Sequence, residues 1–140
     1  MPVDKRESIH HQLDTCGDAA LAELMTLTVS TDEFGDTIYR NHLGQRHRIH
    51  GPAVIFTDDG TLTWYQNDKC HREDGPAVEQ LDGSKMWCID GRVHRVDGPA
   101  IEWPDGRKEW WLDGKQVTRK QHKKKIIAIQ LEAALGKKDK

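Results

Sequence analysis

The sequence predicts a mainly β protein: a single elongated antiparallel meander of repeated β-hairpins, flanked by a short N-terminal helix and an amphipathic C-terminal helix. Two observations predict this fold. Much of the chain repeats itself every 23 or 24 residues, and a fixed period of this length is typical of architectures built from stacked supersecondary units. Each repeat also places an Asp-Gly pair between two short strand-like runs, which is a strong hairpin signal.

Three full copies carry the same marks in the same order. Gly-Pro-Ala occurs at 51–53, 75–77 and 98–100, and His-Arg precedes it each time, at His47-Arg48, His71-Arg72 and His94-Arg95. Asp-Gly follows, and then a tryptophan, at Trp64, Trp87 and Trp110. The full copies are 44–66, 67–89 and 90–112, and partial copies extend the repeat region to 34–121. Residues 1–33 are predicted as a helical cap and 122–140 as a basic helix and tail.

Each copy is interpreted as two strands joined at Asp-Gly. Proline lacks an N–H and belongs at the start of a strand, so the first strand begins after Gly-Pro. The predicted return strands are Thr61–Gln66, Ser84–Ile89 and Arg107–Leu112. Side chains alternate between the two faces of a strand, which separates the repeated tryptophans, expected in the core, from Tyr65, Cys88 and Trp111. The connection to the next copy, such as 90–98, is longer and carries His-Arg.

The flanking segments are expected to cap the sheet, because unpaired edge strands promote aggregation. Asp18 can N-cap a helix that runs to about Thr28, and its predicted buried stripe is Leu21, Leu24, Met25 and Thr28. A second helix is predicted over Lys123–Leu135 and ends at Gly136, with Ile127, Leu131, Ala134 and Leu135 on one side. Fraying is expected before Ser8 and beyond Lys137. An exposed end of the sheet would also allow a homodimer.

Composition limits the class of protein. The 140 residues suffice for one domain, and a net charge of −2 argues against a chain-wide field for nucleic acid or membranes. Three cysteines without a C-x-x-C pair argue against a disulfide framework and favour a reducing compartment. The charged segment Met1–His10 does not resemble a signal peptide, and no stretch reaches the length of a membrane span. A cytoplasmic location is therefore expected.

The repeat resembles that of the MORN family (membrane occupation and recognition nexus), in a variant whose units are H-R-x-D-G-P-A followed by D-G and W. Residues 71–77 and 94–100 match that pattern fully, and 47–53 match except that His50 replaces the aspartate. Such units are similar to those of many bacterial and phage proteins of unassigned function. The resemblance implies a β-hairpin array that acts as a binding or assembly surface, and implies no particular ligand.

The most conspicuous candidate site is the set of histidines at 47, 71 and 94. Equivalent positions in successive hairpins are about 9–10 Å apart, whereas zinc binds nitrogen ligands at about 2 Å, so this column cannot enclose one ion. We therefore expect each His-Arg to hold its own connection, with Arg72 or Arg95 paired to Asp74 or Asp97. A metal or enzymatic site built on Cys70 and His71 is a remaining alternative. No phosphate-binding or nucleophile motif is present, and the chain is predicted to have no cofactor and not to be an enzyme.

Two features favour binding. Trp103 and Trp111 are not repeated in the other copies, and with Tyr65 and Phe56 they could form an aromatic contact surface, since aromatic side chains concentrate at hot spots. A basic run also leads into the C-terminal helix: Arg119, Lys120, Lys123, Lys124 and Lys125. The leading hypothesis is a non-enzymatic protein-interaction module, phage- or bacterium-encoded, that binds and modulates a larger host protein. The alternative is nucleic-acid binding through the basic run.

Overall fold

The computed structural model describes residues 17–136, and the chain is mainly β with a helix at each end. It divides into two compact units, one up to Lys69 and one from Cys70. The first contains α1 (Gly17–Thr26) and the strands β1 (Thr28–Thr31), β2 (Thr37–Arg40), β3 (Val54–Ile55), β4 (Leu62–Thr63) and β5 (Tyr65–Gln66), and β6 (Lys69–Cys70) follows at the boundary. The second contains β7 (Val78–Glu79), β8 (Lys85–Met86), β9 (Cys88–Ile89), β10 (Arg92–Val93), β11 (Ile101–Glu102), β12 (Lys108–Leu112), β13 (Lys115–Val117) and α2 (Arg119–Gly136).

Both units are antiparallel meanders, so the predicted fold class is confirmed. In the first unit β1 to β4 pair in sequence, and Val54 lies between Ile38 and Thr63. In the second unit β7, β8, β11, β12 and β13 pair in that order, and Ile101 lies between Met86 and Glu109. The predicted hairpins are therefore present, with short strands of two to five residues.

The return strands are interrupted at the repeated aromatic residue, which the sequence did not predict. The N–H of Trp87 donates to the carbonyl of Ala100 at 2.8 Å, while its own carbonyl accepts from the N–H of His94 at 3.0 Å. β8 and β9 on either side of Trp87 therefore belong to different ladders. Tyr39 makes the equivalent pair of bonds to Ala53 and His47. The continuous strands predicted over 61–66 and 84–89 are wrong for this reason, whereas β12 matches the third.

Two kinds of turn close the hairpins. At the Asp-Gly turn of the second copy, Gln80 and Ser84 bracket a three-residue loop in which Gly83 has a φ of 97°. Only glycine adopts that conformation without steric cost. The connection between copies contains a second, tighter hairpin between β9 and β10. Its turn residues Asp90 and Gly91 both have positive φ, as a type I′ turn requires.

The core is centred on the alanine of each Gly-Pro-Ala. Ala53, Ala77 and Ala100 are fully enclosed, and the backbone N–H of each donates across to the return strand. Trp64 is buried, as predicted for the repeated tryptophans, while Trp87 and Trp110 are half-buried. Because these side chains are completely enclosed, close packing favours the small residue that recurs there.

The N-terminal helix departs from its prediction. α1 ends at Thr26, Thr28 begins β1, and Leu24 and Met25 are exposed, so the expected apolar stripe is wrong. Instead, the Glu23 carboxylate accepts hydrogen bonds from the backbone N–H groups of Ile49 and His50, and His50 Nδ1 lies 2.6 Å from Glu23 Oε2. A polar contact thus docks this helix. The predicted frayed ends and Cys16 lie outside the described residues.

Candidate partner-binding surface

The arginines of the first and third His-Arg pairs are each enclosed between a ring and a glycine. In the third copy, Arg95 Cζ lies 3.8 Å from the centroid of the Trp87 ring, and a Cβ added to Gly98 on its other side would lie 3.0 Å from the same atom. Its Nε donates to Asp97 at 2.8 Å, and its Nη1 donates to the carbonyl of Pro99 at 3.0 Å. The predicted pairing of arginine with aspartate is confirmed here, and Arg72 with Asp74 repeats it at 2.9 Å. These arginines hold the fold.

The first copy lacks both carboxylates of this arrangement. His50 stands where the other copies have aspartate, and Ile55 stands where they have the strand glutamates that approach the guanidinium. Arg48 still covers the Tyr39 ring at 4.1 Å, and its Nη1 lies 3.4 Å from the Pro52 carbonyl. Its Nε is buried without a hydrogen-bond partner. This copy is therefore the least well satisfied of the three.

The repeated histidines hold the tight turns. Nδ1 of each accepts a backbone N–H about twenty residues further along the chain, at 2.9–3.1 Å: His47 from Asn67, His71 from Asp90 and His94 from Asp113. An accepting Nδ1 carries no proton, which fixes the tautomer with hydrogen on Nε2. Within residues 17–136 no group of three or more metal-ligating side chains comes together. The three histidines, like the arginines, therefore stabilise the backbone conformation of their connections.

Aspartates in the turns accept hydrogen bonds that stabilise their charged form. The backbone N–H of Thr61 and its hydroxyl lower the pKa of Asp59, and the backbone and guanidinium of Arg46 lower that of Asp68. The backbone N–H of Arg107 does the same for the pKa of Asp105. All three carboxyls are exposed at hairpin turns. Their positions indicate that they act as turn residues. Asp59 and Asp105 precede a glycine, and Asp68 lies in a two-residue turn with Asn67.

The four predicted contact aromatics are all half-buried. The guanidinium of Arg46 covers Tyr65 at 4.1 Å, that of Arg107 covers Trp103 at 4.8 Å, and Phe56 lies at its own hairpin turn. Trp111 Nε1 donates to Glu109 at 2.8 Å. Trp103 pairs with Arg107 across the hairpin. Arg107 and Trp111 are four residues apart on the same return strand, which corresponds to about 13 Å.

The basic run forms the start of α2. The helix begins at Arg119, four residues earlier than predicted, because Thr118 and Gln121 form a reciprocal capping box: Gln121 N–H donates to Thr118 Oγ1 at 3.1 Å, and Thr118 N–H donates to Gln121 Oε1 at 2.9 Å. This signal was present in the sequence and was missed. Lys120, Lys123, Lys124 and Lys125 are all exposed in the first two turns.

The contacts that anchor the helix lie in its first two turns. His122 is its one buried residue among those described, and His122 Nε2 lies 2.7 Å from the carbonyl oxygen of Arg95. Arg119 covers the Trp110 ring at 5.8 Å. Sequence reasoning counted His122 only as part of the basic run, and nothing in its local pattern revealed the contact with a carbonyl 27 residues away.

The rest of α2 has its apolar side chains in solvent. Ile127 is 55% exposed, Ile129 53%, Leu131 59% and Leu135 53%. The predicted apolar side of this helix is therefore mostly exposed to solvent, so the expectation that it packs as a cap over the sheet edge is wrong for these residues. A run of four large aliphatic side chains on one exposed helix is the main apolar feature of the second unit.

Comparison with family models, with curated proteins and with solved structures finds no match for this chain. The resemblance to MORN repeats accordingly stays a prediction. Among residues 17–136, no helix combines the length and the apolar character needed to cross a membrane.

Proposed function

We propose that this protein is a non-enzymatic protein-interaction module and that α2 is its principal binding element. The observation that supports this proposal is the exposure of Ile127, Leu131 and Leu135, which recur every four residues along one face of a helix whose residues from 127 to 136 are all exposed. Burial of one such side chain is worth about 1.5–3 kcal/mol. A helix face with apolar residues four positions apart can bind by inserting into a hydrophobic groove of another protein.

Charge indicates the chemistry of the partner. α2 carries five cations in its first two turns and a single acid, Glu132. A parallel second copy would bring the two basic turns together, and in the antiparallel arrangement only Glu132 could offset the lysines. We therefore propose a partner with an apolar groove and an acidic rim, which would receive the lysines at one end of the helix. A homodimer through α2 is the less favoured arrangement.

The anchoring of the helix supports the same function. The capping box at Thr118, the contact of His122 with Arg95 and the contact of Arg119 with Trp110 fix the direction in which α2 leaves the hairpins. A binding element that is ordered before the partner arrives loses less conformational entropy on association. The predicted contact aromatics are half-buried against neighbouring side chains, so we assign them a secondary part in binding: Trp103, Trp111, Tyr65 and Phe56.

The partner is proposed to be a larger protein of the cytoplasm, or of the host cytoplasm if the chain is phage-encoded. The test compares Leu131→Asp with Leu81→Asp, because Leu81 is equally apolar and 81% exposed but lies at a hairpin turn. A protein recovered with the unmodified chain is purified and its affinity measured. We expect at least about a tenfold loss with Leu131→Asp and none with Leu81→Asp, with unchanged thermal midpoints. Equal affinities of the two variants would refute the proposal.

Nucleic-acid binding is the second candidate, favoured by the exposed Lys123, Lys124 and Lys125 at the start of α2. It predicts an affinity that falls steeply as salt rises, because binding releases counterions from the phosphates. Loss of binding in Lys123→Ser/Lys124→Ser/Lys125→Ser with retention in Leu131→Asp, measured on a fluorescent oligonucleotide, would favour this function over the first. Loss in Leu131→Asp alone would favour the protein partner.

A further inference from the structure

Two cysteines of the second unit lie against each other. The thiols of Cys70 and Cys88 are hydrogen-bonded to one another. Cys88 is 2% exposed in the core, whereas Cys70 is half-buried. The two residues belong to different strands and are 18 positions apart in sequence. Thiols that touch across two strands are the starting geometry for a disulfide bond, provided that the backbone holds them there.

The backbone does hold them, and it does so in every copy. The carbonyl of Cys70 accepts from Gly91 N–H at 2.8 Å, and the carbonyl of Cys88 accepts from Arg72 N–H at 3.1 Å. The same two bonds occur in the first copy at Arg46 and Tyr65, and in the third copy at Val93 and Trp111. We call these three places the paired slot.

Its occupants differ chemically from copy to copy. In the first copy, Arg46 covers the Tyr65 ring at 4.1 Å, which shows that the two side chains of a paired slot meet. The third copy has Val93 and Trp111 there. The second copy alone has two thiols. Because the position tolerates an ion–ring pair and an aliphatic–aromatic pair, the fold does not demand cysteine, and the coincidence of both described cysteines in one slot calls for a chemical explanation.

We propose that Cys70 and Cys88 are a redox pair that closes an intrachain disulfide when the protein meets a low-molecular-weight disulfide such as glutathione disulfide. The proposal is independent of the binding function assigned to α2. It concerns a modification site built from two residues that the repeat brings together.

The two sulfurs have different roles because their surroundings differ. The Cys88 thiol donates its hydrogen bond to Cys70, and this bond together with burial raises the pKa of Cys88 and keeps its thiol protonated. Cys70 is the more accessible sulfur, so its thiolate attacks one sulfur of the glutathione disulfide and expels a glutathione thiolate. The sulfur of Cys88 then loses its proton to solvent, attacks Cys70 Sγ and displaces the second glutathione. Two protein thiols are oxidised and one glutathione disulfide is reduced to two thiols.

The bond would close a loop that contains the whole β7–β8 hairpin. Cross-linking of 70 to 88 restricts the unfolded chain, so the oxidised second unit is expected to melt at a temperature higher by roughly 10 °C or more. Reduction with dithiothreitol reverses the gain.

The test uses the unmodified folded chain. It is incubated with glutathione disulfide, its remaining thiols are alkylated, and the digested peptides are mapped by mass spectrometry. We expect one linkage, Cys70 to Cys88, and, before alkylation, a disulfide that lowers the mass of the chain by two hydrogen atoms. An end product in which Cys70 keeps glutathione, a linkage to Cys16, a cross-linked dimer or an absence of reaction would each overturn the proposal.

Single variants test the order of attack. In Cys88→Ser, glutathione should remain attached to Cys70, because no second thiol displaces it. In Cys70→Ser, Cys88 should stay unmodified in the folded protein and react after addition of urea. Cys16→Ser is the matched control and should form the same disulfide as the unmodified chain. If Cys88 reacts as fast as Cys70 in these folded variants, the assigned order is wrong.

Discussion

Substitution of Gly98 by alanine tests whether an enclosed arginine holds each copy together. The added Cβ would lie 3.0 Å from Cζ, 3.1 Å from Nη1 and 3.3 Å from Nε of Arg95. The Trp87 ring at 3.8 Å prevents the guanidinium from moving away from the new methyl group. It can only slide sideways, which lengthens its bonds to Asp97 and to the Pro99 carbonyl.

The magnitude follows from these contacts. A hydrogen bond that involves a charged group contributes about 1.5–3 kcal/mol, and a cation–π contact contributes about 0.5–2 kcal/mol. The Arg95 side chain is 20% exposed and its partner Asp97 is 77% exposed, so the lower part of each range applies. We expect Gly98→Ala to reduce the free energy of unfolding by about 1–2 kcal/mol.

A double-mutant cycle with Arg95→Ala separates this effect from backbone strain. Without the guanidinium, the alanine meets no obstacle and restricts the unfolded chain, so Gly98→Ala should then be neutral or stabilising by about 0.4–1 kcal/mol. Urea unfolding of the four proteins, followed by tryptophan fluorescence, gives the coupling energy. The control is Gly106→Ala, whose Cβ meets nothing within 4 Å and whose φ of 93° makes its cost independent of Arg95. The same cost for Gly98→Ala in both backgrounds would refute the reasoning.

Two further predictions concern acid and the histidines. The lowered pKa values mean that three turn carboxyls bind fewer protons when the chain is folded, so their contribution is complete above the unfolded value of about 3.9 and is lost as the pH falls through the folded value. The thermal midpoint should therefore fall as the pH is lowered below about 4. It should fall less steeply in a variant in which the three carboxyls are replaced by asparagine, at Asp59, Asp68 and Asp105. Parallel curves of midpoint against pH for the two proteins would contradict this. His71→Ala leaves the Asp90 N–H unpaired and should cost about 1–3 kcal/mol in urea unfolding, whereas the exposed His42→Ala should cost nothing measurable; equal costs would show that the turn does not depend on the imidazole.

The sequence predicted the features that depend on neighbouring residues. The Asp-Gly turns and the pairing of Arg95 with Asp97 follow from residues two to four positions apart, and the structure confirms them. The break at Trp87 could not be predicted, because alternation of side chains continues through that residue while its backbone changes ladder. The docking of α1 was missed for a similar reason. It depends on Glu23 reaching loop residues 26 positions away, whereas the expected stripe assumed that apolar residues always face the core.

The binding surface was predicted in part. The basic run and the apolar side of α2 were readable, but the sequence could not show that Leu131 stays in solvent, since the same pattern also suits a helix packed on a sheet. The paired slot was equally hidden. Cys70 and Cys88 are far apart in sequence, and they are brought together by backbone hydrogen bonds between 70–72 and 88–91, which period-two patterns do not reveal.

Each enclosing arginine follows its ring in the chain by eight or nine residues and comes from the next copy: Arg48 closes over Tyr39, Arg95 over Trp87 and Arg119 over Trp110. At these three places a ring is covered by an arginine of the following segment, and the last of them is covered by the helix that follows the array. Lengthening or shortening the protein is therefore tolerated only by whole periods cut between an arginine and the following ring. A cut between a ring and the arginine that follows it would separate the two, and it would leave the ring exposed or the guanidinium without its aromatic contact.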